Sequence, residues 1–75
     1  MDINNILKNQ PNITWIKRAI AINWMMETLA DFGSKRETFA VSVRLLDHYL
    51  ALADPIAIEE LQKLAATSMY IANKL

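Results

Sequence analysis

Apolar residues recur at helical spacing through residues 16–50, and one glycine divides the stretch in two. At about 100° per residue, Trp15, Ile22, Met25, Met26 and Leu29 gather on one side of a first helix. Phe39, Val43, Leu46 and Leu50 do the same on a second, beside Ala40 and Ala51. Each apolar side contains a charge, Arg18 in the first and Asp47 in the second. An unpaired buried charge is costly, and the planar fork of an arginine suits a carboxylate. The pattern therefore predicts a largely buried Arg18–Asp47 ion pair that fixes how the two helices cross. In the competing reading both side chains snorkel to water at the edge of the face.

Start and stop residues divide the rest. Residues 1–12 read as a lead-in, either a short amphipathic helix or a tail. Asp2 is its cap, Ile3, Ile6 and Leu7 share a face, and Pro11 ends it. The asparagines weaken that helix. The first main helix is expected over about 14–31, capped by Asn12 or Thr14 and closed by Gly33. The second is expected over about 35–53. Ser34-Lys35-Arg36-Glu37 reads as its capping box, and Asp54-Pro55 breaks the chain after it. The third is expected over about 57–74, with Glu59 and Glu60 in its first turn and Lys74 in its last, as the helix dipole favours. The fold class is all-α.

The third helix is apolar on too many sides. Leu61, Leu64, Met69, Ile71 and Leu75 spread around it, with Ala65, Ala66, Ser68 and Ala72 between them. Such a helix is normally surrounded by others. Val41, Leu45 and Leu52 make a second apolar stripe on the helix before it. Surface of this kind asks for a cover: a second copy of the chain, another protein partner, or a remainder of the protein if this is a fragment.

Composition narrows the function classes. Seventy-five residues make one small domain with a modest core, yet 53% of them are hydrophobic. Eight acidic and eight basic residues leave no net charge to attract nucleic acid or an anionic membrane. With no cysteine there is neither a disulfide framework nor a thiolate metal site. No uncharged apolar run nears the roughly 20 residues of a membrane span, and the first residues lack a signal-peptide pattern. The expected location is cytoplasmic or nuclear. His48 stands alone, without a second metal-ligand residue at suitable spacing, and Glu59-Glu60 is a charged first turn and no catalytic pair. No nucleophile triad, phosphate-cradling glycine loop or zinc-binding HExxH occurs. The chain reads as a non-enzyme without cofactor or metal.

A set of residues nevertheless stands at a recognisable spacing. Arg18-Ala19-Ile20, Trp24, Glu27, Glu37-Thr38, Leu46-Asp47 and Tyr49-Leu50 resemble the cyclin box, as do Leu61-Gln62 and Ile71-Ala72-Asn73-Lys74. The resemblance covers residues 14–75 and implies the first three helices of a five-helix box, here an incomplete one over residues 13–75. It implies that Arg18 and Asp47 pair, in agreement with the charge reading. It also implies a regulator that binds a cyclin-dependent kinase through the third main helix. Lys74 would cap backbone carbonyls of the kinase there, with Ile71 and Leu75 as apolar neighbours. Finally, it implies a shallow patch that docks short Arg-x-Leu-type peptides, made of Lys17, Ile20, Ala21, Trp24, Glu27, Leu61 and Gln62, with Ile16 nearby. Lys17 and Ala21 depart from the methionine and leucine common at those places. The alternative function is a self-associating helical module, in which Val41, Leu45, Leu52, Met69 and Ile71 complete the bundle between two chains. A DNA-contacting box is disfavoured by the neutral charge.

Overall fold

Local chemistry decides where each helix begins and ends. In the computed structural model, which describes residues 3–75 and side chains from residue 5 onward, four helices follow in order. They are α1 (Ile3–Ile6), α2 (Trp15–Asp31), α3 (Arg36–Leu52) and α4 (Ile58–Lys74). No strand occurs among the described residues. The main helices start within a residue of their expected places and end at or within a residue of them. Asp2 and the side chain of Ile3 lie outside the described residues.

Thr14 is extended, and its Oγ1 accepts the Lys17 N–H at 3.2 Å, which satisfies one of the four unpaired donors of the first turn. At the other end of α2 the Gly33 N–H donates to Ala30 O at 3.0 Å and the Ser34 N–H donates to Leu29 O at 2.9 Å. This is a Schellman closure, with Gly33 at φ 68°. A Cβ at Gly33 would meet nothing within 4 Å, so the backbone conformation alone selects glycine.

The same turn corrects the expected capping box of α3. Ser34 already closes α2, so the chain needs one more residue before it can enter the next helix. Lys35 takes the N-cap place without a side-chain bond, and the Ser34 hydroxyl instead donates to Asn73 Oδ1 at 3.4 Å. The α4 start is half of a capping box: Glu60 Oε1 accepts the Ala57 N–H at 3.2 Å, while Ala57 has no side-chain acceptor to offer in return.

The core joins Met25 and Leu29 of α2, Leu46 and Leu50 of α3, and Leu61, Ala65 and Met69 of α4, with Ile6 of α1 and Ile13 and Ile56 from the connections. α4 packs most extensively on α3, then on α2. Ala65, Ser68 and Ala72 keep that contact close. The buried Ser42 and Ser68 hydroxyls donate to carbonyls of their own helices, Phe39 O and Leu64 O. Three expectations change. Trp15 and Met26 are exposed, because the buried stripe of α2 is the narrower row Ala21, Met25 and Leu29. Met69 is core rather than docking surface, because it continues the row from Leu61 and Ala65. Of the second stripe on α3, Val41 and Leu45 are half-buried and only Leu52 is open.

The lead-in is held by amides. Gln10 is 2% exposed. Its Nε2 donates toward Leu50 O at 3.1 Å, Asp54 O at 3.2 Å and Ala53 O at 3.3 Å, two protons shared among three carbonyls. Its Oε1 accepts the Ile56 N–H at 3.0 Å. Asn12 Nδ2 donates to Ile56 O at 3.1 Å, and Asn9 Nδ2 donates to Ala51 O at 3.4 Å. The Leu50 and Ala51 carbonyls in the last turn of α3 have no partner within the helix, and these side chains supply one while also capping carbonyls of the connection to α4. α1 packs on α3 and is shorter than the expected lead-in helix, since turns replace it from residue 7.

Candidate functional site

α2 has two working flanks. On one, Arg18 reaches across to α3. Its Nε donates to Asp47 Oδ1 at 2.7 Å and its terminal nitrogen donates to Oδ2 at 2.6 Å. This is the bidentate fork-to-carboxylate arrangement. The side chains are 17% and 14% exposed, so the pair is largely buried at the margin of the core. Hydrogen bonding to Asp47 raises the Arg18 pKa above its ordinary value. Burial opposes this and the attraction of the carboxylate charge adds to it.

On the other flank α2 and α4 enclose an open apolar groove of about 330 Å³. Lys17, Ile20, Ala21 and Trp24 line it from α2, and Ile58, Leu61 and Gln62 line it from α4. The four α2 residues share a face because they stand three or four apart. Ala21 and Leu61 are buried and make the floor, the half-buried indole of Trp24 is a wall, and Ile20, 65% exposed, is the rim. Six of the seven expected groove residues therefore meet. Glu27 does not line the groove: it stands beyond Trp24, where its Oε1 accepts the Asn23 amide at 3.2 Å. Ile58 was not anticipated, though its place three residues before Leu61 carries the signal. Lys17 is the one charged residue in the lining. Its Nζ donates to Asn12 O at 3.4 Å, and no carboxylate among the described residues lies within ion-pair distance of it. Ile16 is exposed and outside the lining.

A second groove, about 580 Å³, runs between α3 and α4 and includes Leu45, His48, Tyr49, Leu52, Leu64 and Ile71. Leu52 is 72% exposed. At the end of α4, Ile71 and Leu75 are open to solvent, and the Lys74 ammonium sits 5.0 Å from the centre of the Tyr70 ring on the same helix. Ile71, Lys74 and Leu75 are thus together at one end of the molecule, apart from the Lys17–Gln62 groove. Among the described residues no group of three or more His, Cys, Asp or Glu side chains could hold a metal, and no helix is long and apolar enough to cross a membrane.

Comparison with known proteins bears on both surfaces. A family model, Cyclin, N-terminal domain, matches residues 1–75. The chain is 38% identical to G2/mitotic-specific cyclin-B of Dictyostelium discoideum, over 91% of the chain and 15% of that protein. It is 34% identical to G2/mitotic-specific cyclin-A of Patella vulgata, over 91% of the chain and 16% of that protein. It is 31% identical to G1/S-specific cyclin-E of Hemicentrotus pulcherrimus, over 96% of the chain and 17% of that protein. The chain spans less than a fifth of the length of these relatives. No solved structure matches it.

Proposed function

The chain belongs to the cyclin family, and on that premise we propose that it is a non-catalytic cell-cycle regulator that binds a cyclin-dependent kinase. The contact runs through α4, with Ile71 and Leu75 as apolar contacts and Lys74 donating to backbone carbonyls of the kinase. The observation that carries this reading is the exposed end of α4, where two large apolar side chains flank a lysine with three donors. Lys74 would have to leave the Tyr70 ring, an interaction of about 0.5–1 kcal/mol at an exposed site and therefore easily exchanged. Regulation needs only that the bound surface favour one arrangement of the kinase over another, which is a shift of populations. The groove of Lys17, Ile20, Ala21, Trp24, Leu61 and Gln62 docks a short peptide segment of a substrate or inhibitor in this reading, in the cytoplasm or nucleus.

Light scattering across a concentration series, with and without a cyclin-dependent kinase, tests it. A one-to-one complex that is lost in Leu75→Asp is the expected result. A stable dimer indifferent to the kinase would instead support a self-associating module. That second reading is favoured by one observation, the apolar α3–α4 groove with Leu45, Leu52 and Ile71 along it. Leu52→Asp would then abolish the dimer.

A further inference from the structure

We propose that the α2–α4 groove selects peptide segments in which a bulky apolar residue is accompanied by an acidic one, with Lys17 as the partner of that acid. The inference rests on the peptide-docking reading above and adds the charge of the ligand to it.

Three observations carry it. The floor is low where Ala21 faces Leu61, and Trp24 stands beside it, so an apolar side chain can enter. The groove volume of about 330 Å³ is at the small end for a binding cleft, enough for one or two side chains and too small for a helix face. The only formal charge in the lining is positive, and Lys17 is exposed with no carboxylate partner among the described residues. Lys17 lies in the first turn of α2, where the helix dipole also favours a negative group.

Two carboxylates nearby have to be weighed. Glu59 lines an adjoining recess with Pro11, Asn12 and Thr14 that shares Lys17 and Ile58 with the groove; it does not line the groove itself and forms no ion pair with Lys17. Glu27 lies past Trp24, ten residues from Lys17. At 1.5 Å per residue that is about 15 Å along the helix, the span of four or five extended residues. An acid placed at Lys17 is therefore clear of Glu27, while a basic residue drawn to Glu27 would lie outside the groove. Gln62, exposed on the α4 side, offers both a donor and an acceptor to the peptide backbone.

Two fluorescent octapeptides test this by anisotropy against the full chain. Both carry a Leu–Phe pair, with a glutamate two residues before it in one and an arginine in the other. The glutamate peptide is expected to bind about three- to tenfold more tightly at low salt, with the preference shrinking as salt screens it. Lys17→Glu should reverse the preference. Lys17 is exposed, so that variant should keep its helical circular dichroism and melting temperature. Tighter binding of the arginine peptide, weakened by Glu27→Gln, would leave the docking groove standing and overturn the role given to Lys17. Failure of both peptides to bind the folded chain would overturn the docking reading and this inference together.

Discussion

Two polar ties hold this small bundle, and they work in opposite ways. Arg18–Asp47 is charged, bidentate and partly wet. Gln10 is neutral, almost wholly buried, and bonded at every polar atom to backbone. An ion pair at the margin loses part of its attraction to solvent screening and carries a desolvation cost, so its net worth is small even when its geometry is ideal. A buried amide gains less per bond, but the groups it satisfies have no other partner, so removing it leaves them all exposed to that deficit. The conspicuous tie is thus expected to matter less to stability than the inconspicuous one. On the same reasoning, the expected role of the charged pair is to set the angle between α2 and α3 more than to add stability.

The sharpest way to break this comparison is Gln10→Ala. It leaves the Ile56 N–H and carbonyls around residues 50–54 unpaired and should lower stability by about 2–4 kcal/mol, read as a shift in chemical-denaturation midpoint. A loss below that of Asp47→Ala would reverse the ranking. Asp47→Ala leaves a partly buried guanidinium alone and should cost about 1–3 kcal/mol. The double change Arg18→Met with Asp47→Leu removes both charges and should fall within about 1 kcal/mol of the parent. Asn12→Ala removes one bond, to Ile56 O, and should cost about 0.5–1 kcal/mol. Smallest of all is the pH effect through Arg18. Its pKa is raised by the bond to Asp47, so its contribution is complete below the ordinary guanidinium value and is lost only as pH climbs through the higher folded value. Melting temperatures between about pH 6 and pH 9 should therefore not move on its account.

The same contrast explains what was legible beforehand. Arg18 and Asp47 were visible because a charge on an apolar stripe violates the pattern around it. Gln10 violates nothing: it sits before a proline in a stretch rich in asparagine, with no period to depart from, and its partners lie 40 or more residues away. The helices themselves were readable from Thr14, Gly33 and Pro55, whose backbone preferences act locally. On the α2 side of the groove, spacing sets Ile20 and Trp24 away from Arg18 with Ala21 nearby, while the patch itself and the place of Lys17 in it come from the family resemblance. Its α4 side depends on how two helices dock, and that relation came from the family resemblance, which named Leu61 and Gln62 but not Ile58. Periodicity fixes the direction of a buried face and leaves its breadth to the neighbours present, so it does not separate the exposed Trp15 and Met26 from the buried row of α2.

The amide clamp also bears on the order of events in synthesis. Gln10 accepts from Ile56 across 46 residues, and its other partners are nearly as distant. Contacts that join such distant parts form only after the intervening chain has been closed into a loop. Residues 9–12 leave the ribosome well before α3, yet they have nothing to grip until the α3–α4 connection has emerged. Until then Ile6 and Ile13 lack their cover, and the nascent chain carries an unsealed apolar end that a chaperone could hold.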